Sequence, residues 1–156
     1  MSKKKIVVAV SGYFNPLHVG HLEMMEKAKK LGDQLIVIVN NDYQVKLKGR
    51  VPFLNQADRI KIISAIKWVD EVFLSIDRDA SVCRSLAAIK PDIFAKGGDR
   101  NAGNIPETAV CKKYGIKIVD KGMGKKIRAS SDLIARATKN KSSKNNKSYE
   151  SQSKNI

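Results

Sequence analysis

An apolar run, Ile6-Val7-Val8-Ala9-Val10, leads straight into Ser11-Gly12-Tyr13-Phe14-Asn15-Pro16-Leu17-His18-Val19-Gly20-His21, and this junction constrains the fold more than any other stretch. Five consecutive apolar residues without polar alternation predict a strand buried on both faces, as in a parallel sheet. Leu22, Met25 and Ala28 then recur at helical spacing up to Leu31-Gly32, where glycine signals a stop. Between strand and helix sit Gly12, Pro16 and Gly20 with His18 and His21, the chain's two histidines. Three residues apart, the imidazoles share the first helical turn and point the same way. That turn is expected to carry unpaired amides and the positive end of the helix dipole, a place suited to phosphate. A lone pair of histidines would ordinarily be a cap and a surface residue. Gathered at one strand-to-helix turn with glycines, they are candidate catalytic groups.

The run Gly12 to His21 resembles the signature of the cytidylyltransferase-like nucleotidyltransferases, a Gly-x-Phe-Asp run followed by His-x-Gly-His. Asn15 stands where that family often has Asp. The resemblance implies a Rossmann-like, doubly wound α/β domain that transfers a nucleotidyl group. It also implies His18 and His21 at the α-phosphate, Gly12, Tyr13, Phe14 and Gly20 around the nucleotide, Mg²⁺ with ATP or CTP, and a homodimer.

A second apolar run, Gln34 to Val39, closes a strand-helix-strand unit of the length a right-handed parallel crossover needs. It ends in Asn40-Asn41-Asp42, polar residues at the carboxyl end of a parallel strand, which places Asn40 and Asp42 beside the ligand crevice. Tyr43 to Pro52 is polar and basic with no steady period, and is expected to be a mobile loop. Its Lys46, Lys48 and Arg50 are either solvated charges or a clamp on phosphate oxygens. This stretch is similar to the Val-Lys-x-Leu-Lys-Gly segment of heptose-1-phosphate adenylyltransferases, which implies catalytic roles for Lys48 and Lys46. Asn55 is expected to cap a helix reaching Trp68, with Arg59 on its first turn. The resemblance gives Arg59 a substrate phosphate; a plain surface arginine is the alternative.

Glu71 to Leu74 predicts a third strand, and Asp79-Ala80-Ser81 a cap for a helix with Val82, Leu86 and Ile89 on its apolar face. Pro91 ends that helix, Asp92 to Ala95 forms a fourth strand, and Lys96-Gly97-Gly98-Asp99 follows on the same sheet edge as the histidines. The segment is similar to Lys-Gly-Gly-Asp of the same adenylyltransferases, implying that Gly98 and Asp99 meet the nucleotide. Pro106 to Tyr114 with Gly115 predicts another helix, and Ile116 to Val119 a fifth strand. Ala129-Ser130-Ser131 resembles the family's Ser-Thr-Thr motif. Ser130 and Ser131, with Arg128 or a nearby lysine, either hold the outer phosphates or only cap the last helix.

A chain of 156 residues, 42% hydrophobic, suits one domain, 1–138, followed by a disordered Lys/Asn/Ser-rich tail, 139–156. No apolar stretch approaches eighteen residues and no leader pattern is present, so a cytoplasmic protein with no membrane partner is expected. Cys83 and Cys111 are expected to be buried thiols. The net charge of +15 invites nucleic acid, but the tail alone holds five lysines and one Glu, and RNA-binding signatures are missing. The expected reaction moves a nucleotidyl group from a nucleoside triphosphate, ATP above CTP, to a small phosphorylated substrate such as a sugar phosphate, releasing pyrophosphate. The alternatives are a CTP-dependent enzyme acting on glycerol phosphate or a head-group phosphate, and a basic nucleic-acid-binding module on a degenerate form of the fold.

Overall fold

A computed structural model describes residues 3–97, 105–120, 123 and 134–138. Strands β1 (Val7–Gly12), β2 (Gln34–Val39), β3 (Glu71–Leu74), β4 (Ile93–Ala95) and β5 (Lys117–Val119) form one sheet in the order β3-β2-β1-β4-β5. Every neighbouring pair is parallel. The helices are α1 (Val19–Lys29), α2 (Asp42–Leu47), α3 (Gln56–Ser64), α4 (Cys83–Ile89) and α5 (Glu107–Tyr114), and residues 134–138 are helical too. The expected Rossmann-like α/β sheet of five parallel strands is therefore present.

Strand alternation explains the layers. Val8, Val10, Leu35, Val37, Val39 and Ala95 face a core shared with Met25 and Ala28 of α1 and Ile63 of α3. The residues between them, Ala9, Ile38 and Phe94, face a second core with Val82, Leu86 and Cys111. A continuous apolar run thus serves both faces of one strand. Each fully buried aliphatic or aromatic side chain contributes about 1.5–3 kcal/mol, so Ile63→Ala, which also leaves a void, would cost about 2–5 kcal/mol.

Three aspartates hold the amino-terminal edge of the sheet. Asp33 accepts from the Ile6 amide, Asp92 from Val7 and Asp70 from Leu35, each at 2.8 Å, so the amides at the start of the ladder find partners. Burial raises the Asp70 carboxyl, but hydrogen bonds from Lys29 and the Leu35 amide, with the Lys29 charge, outweigh it and hold the group below its ordinary value. At Gly32 a Cβ would lie 2.7 Å from the Ile6 carbonyl oxygen. Glycine there lets the turn between α1 and β2 pass close over the start of β1.

Several boundaries differ from expectation. Tyr43 to Pro52 is not a mobile loop, for its first half is α2, started by Asn41 accepting from the Gln44 amide while Gln44 reaches back to the Asn41 amide. This helix is too short for a period to show, and Gln44 and Val45 are its buried residues. Helix α3 stops at Ser64, although Ile66 and Trp68 still pack on the first core. Helix α4 starts at Cys83, and its N-cap residue Val82 supplies no side-chain cap. The expected Ser81 does meet the first amide, its hydroxyl accepting from Cys83 at 3.3 Å, while Asp77 accepts from Arg84 and Ser85 and Glu107 from Val82. Asp79 and Ser81 bond to each other. Cys111 is buried as expected, whereas Cys83 is only half-buried.

Candidate active site

The strand order reverses direction between β1 and β4, which opens a crevice at their carboxyl ends. The chain leaves β1 into this crevice through Tyr13 to Leu17. Phe14 takes a left-handed backbone with φ 51°, a conformation costing about 1–3 kcal/mol for a non-glycine residue. Its fully buried ring offsets that cost and lies over Gly12, where a Cβ would come within 2.8 Å of the phenyl. Gly12 is thus the room the ring needs.

His18 is the N-cap of α1. Its Nδ1 accepts from the Gly20 amide at 3.2 Å, and the Nδ1 of His21 accepts from the His18 amide at 3.1 Å. This is the reciprocal arrangement of a capping box, built from two imidazoles. A Cβ on Gly20 would sit 3.0 Å from the His18 ring, so glycine makes the close approach possible. The rings stack at 3.8 Å with 26° between planes, and Phe14 meets His21 edge-on at 4.9 Å. Because each Nδ1 accepts an amide proton, the proton of a neutral imidazole belongs on Nε2. Burial, and secondarily the proximity of His18, lower His21 to about 3. It is therefore neutral at physiological pH, a donor without charge. Of the amides expected to be unpaired in this turn, three have partners: Gly20 donates to the His18 ring, and His21 and Leu22 donate to the His18 carbonyl. The donors that this turn sets up are the imidazole Nε2–H groups.

Lys48, the C-cap of α2, brings its ammonium to 4.0 Å from the centroid of the Tyr13 ring. The structure thus joins Lys48 to the loop of the histidines, a cation–π contact worth about 0.5–1 kcal/mol when exposed. Lys46 stands exposed in the last turn of α2.

The three expected substrate-binding residues are placed differently. Arg59 is 1% exposed; its Nε donates to the Leu54 carbonyl, its Nη1 to the carbonyls of Tyr13 and Asn40, and its Nη2 to the Asp42 carboxylate at 2.7 Å. The other oxygen of Asp42 accepts from the Gln56 amide. Asn40 is buried and donates to Gln44. Through these bonds Arg59, Asp42 and Asn40 tie together the walls of the crevice. The pattern of an arginine in a first helical turn cannot distinguish the two roles, because the acceptors lie far along the chain.

Asn15 is the residue whose role the sequence left open. It is 5% exposed, donates from Nδ2 to the Val51 carbonyl at 3.1 Å and accepts at Oδ1 from the Phe53 amide at 2.6 Å. Gly98, Asp99, Arg128, Ser130 and Ser131 lie outside the described residues, as do Lys125, Lys126 and the 139–156 tail. Among the described residues, no three His, Cys, Asp or Glu side chains gather as metal ligands, and no helix is long and apolar enough to cross a membrane.

The family model described as cytidylyltransferase-like matches residues 9–147. FAD synthase of Thermococcus sibiricus is 43% identical over 103 residues, which cover 64% of this chain and 67% of that protein. The bifunctional protein HldE of Streptomyces coelicolor is 37% identical over 115 residues, 72% of this chain and 24% of HldE. The chain thus spans about a quarter of the HldE proteins it matches. In fold it is similar to a crystal structure from Thermoplasma volcanium GSS1, described as a lipopolysaccharide core biosynthesis protein, with a TM-score of 0.64 and 30% identity over 75% of this chain and 96% of that one. On the family match, the relatives and the fold, the chain belongs to the cytidylyltransferase-like family and is a nucleotidyltransferase enzyme.

Proposed function

We propose that the enzyme transfers an adenylyl group from ATP to a phosphate monoester on a small molecule. The observation that carries this reading is the stacked pair His18 and His21, whose Nδ1 atoms are both engaged by amides. An oxygen of the acceptor phosphate attacks the α-phosphorus of ATP, the bond from that phosphorus to the bridging oxygen breaks, and pyrophosphate leaves with the electron pair. No covalent enzyme intermediate is needed, so the protein positions the reactants and neutralises charge. The Nε2–H groups donate to oxygens of the crowded α-phosphate, where donors fixed in advance act most strongly. Lys48, joined by Lys46, neutralises phosphate oxygens, while Gly98, Asp99, Arg128, Ser130 and Ser131 contribute to the nucleotide site. Magnesium enters with the triphosphate as part of the substrate.

For the acceptor, the relatives named FAD synthase support FMN, which becomes FAD on receiving an adenylyl group. Leu47, Val51 and Phe53, all more than half-exposed or nearly so beside Lys48 and Arg50, suit a flat ring that carries a phosphate. A sugar 1-phosphate is the second reading, favoured by the likeness of Val45-Lys46-Leu47-Lys48-Gly49 to the heptose-1-phosphate adenylyltransferases. A homodimer and a cytoplasmic setting accompany the proposal as implications of family resemblance. The test is pyrophosphate release with Mg²⁺ from ATP, CTP, GTP and UTP, each against FMN, sugar 1-phosphates and glycerol phosphate, with product masses measured. ATP with FMN is the expected pair. Preference for CTP would overturn the choice of nucleotide, and ATP with a sugar phosphate would overturn the choice of acceptor.

A further inference from the structure

We propose that the ring of Tyr13 is the seat that holds the Lys48 ammonium in register with the two histidines, which makes Tyr13 a positioning residue for phosphate capture. The inference rests on the adenylyl-transfer reading and deepens it. The Lys48 ammonium lies 4.0 Å from the centroid of the Tyr13 ring. The backbone on each side of that contact is fixed by other means. Lys48 closes α2, its amide donating to the carbonyls of Gln44 and Val45, and the amides of Gly49 and Arg50 donate to those of Lys46 and Val45. Tyr13 directly follows β1, and its carbonyl accepts from Arg59 at 2.8 Å. The Tyr13 hydroxyl oxygen is buried, so the outer edge of the ring is enclosed by protein.

What the end of α2 does not fix is the four-carbon stem of Lys48, because the residue is exposed. Such a stem keeps many rotamers in water, and confining it costs free energy that an incoming phosphate would otherwise have to supply. An aromatic face confines the ammonium beforehand. It does so without cancelling the charge, as a carboxylate partner would, so the phosphate still meets a full cation. The place of that cation is tied to the histidines by sequence: Tyr13 is joined to Phe14, whose ring meets His21 edge-on at 4.9 Å. Adjacent residues of one loop thereby set groups from two separate helices against each other, Lys48 at the end of α2 and His21 in α1. The Tyr13 ring touches no reacting atom in this account and acts through Lys48.

The test uses the full chain and begins without nucleotide. In protein carrying carbon-labelled lysine, the protons of the Lys48 terminal methylene should lie upfield, shifted by the ring current, in wild type and Tyr13→Phe, and return to their ordinary position in Tyr13→Leu. Calorimetric titration with α,β-methylene ATP and Mg²⁺ then compares wild type, Tyr13→Phe, Tyr13→Leu, Lys48→Met and the double variant Tyr13→Leu/Lys48→Met. Tyr13→Leu should weaken binding about threefold, the size of one exposed cation–π contact, and Tyr13→Phe should recover most of that loss. The double variant should lose no more than about twofold beyond Lys48→Met, the mark of two residues acting as one unit. Mono- and trifluorinated phenylalanine at position 13 cover the case in which Tyr13→Leu fails to fold. Fluorine strips the ring face of negative charge at nearly constant shape, so affinity should fall stepwise with fluorination, and stay level when Lys48→Met is present. Ordinary Lys48 shifts in the wild type, undiminished affinity in Tyr13→Leu or Lys48→Met, or losses that add in the double variant would overturn the inference while adenylyl transfer stands. An upfield Lys48 signal in a wild type that binds no nucleotide would instead overturn the adenylyl-transfer reading, and with it the phosphate role of this seat.

Discussion

The backbone amide of His18 donates to the ring of His21, and the two rings stack 3.8 Å apart. Each histidine thereby fixes the tautomer and orientation of the pair, so neither acts independently of the other.

Replacing His18 or His21 by Ala should lower kcat about 10²-fold each, roughly 3 kcal/mol of transition-state stabilisation, with less change in the KM for ATP. The losses should not multiply in the double variant, because each ring positions the other. Steady-state pyrophosphate release at saturating ATP is the measurement, and near-normal turnover in a folded double variant would sink the mechanism.

The protonation of His21 sets a pH dependence. Its folded value, about 3, lies below the ordinary 6.5, because burial and then the neighbouring His18 oppose its charge. Between those values the unfolded chain binds a proton that the native state does not. The stability is therefore fully present above pH 6.5 and drains as the pH falls toward 3, by at most about 1.4 kcal/mol per unit. Urea unfolding of His21→Gln between pH 4 and 6.5 should show a shallower slope than wild type; equal slopes would mean that His21 charges freely in the folded protein.

Arg59→Lys should destabilise the fold by about 2–4 kcal/mol, since one ammonium cannot reach the four acceptors that a guanidinium fork spans, and Asp42 loses its buried partner. Among the folded molecules the KM for the acceptor should shift less than about threefold, because the guanidinium is committed to four protein acceptors. A tenfold rise in that KM with little loss of stability would restore the ligand role.

Asp77 is 1% exposed and accepts from the amides of Arg84 and Ser85 and the hydroxyls of Ser75 and Ser85. Asp77→Ala leaves those donors unanswered at the start of α4 and should cost about 3 kcal/mol, read as a lower urea midpoint with an unchanged slope.

What could be read from the chain was what depends on near neighbours. The run Ile6 to Val10 and the run Gln34 to Val39 announce buried parallel strands, and Tyr114-Gly115 announces a helix stop that the structure realises with Gly115 at φ 67°. His18 and His21 were legible for the same reason, since three residues on a helix determine who meets whom. Long-range partners were not. Arg59 finds Tyr13 and Asn40, Asn15 finds Val51 and Phe53, and Glu107 finds the amide of Val82, all through the packing of separate elements. Helix α2 escaped notice because six residues hold less than two turns, too few for a period to declare itself. Asn41 followed by Gln44 was the signal that could have found it.

Strand β1 lies between β2 and β4, with β3 and β5 at the outer edges. The loop that bears the histidines is thus anchored to the central strand of the five, whereas the borders of the sheet are strands of four and three residues. Gentle heating would loosen the periphery before the hearth: the order of failure runs inward, and the chemistry outlasts the frame around it.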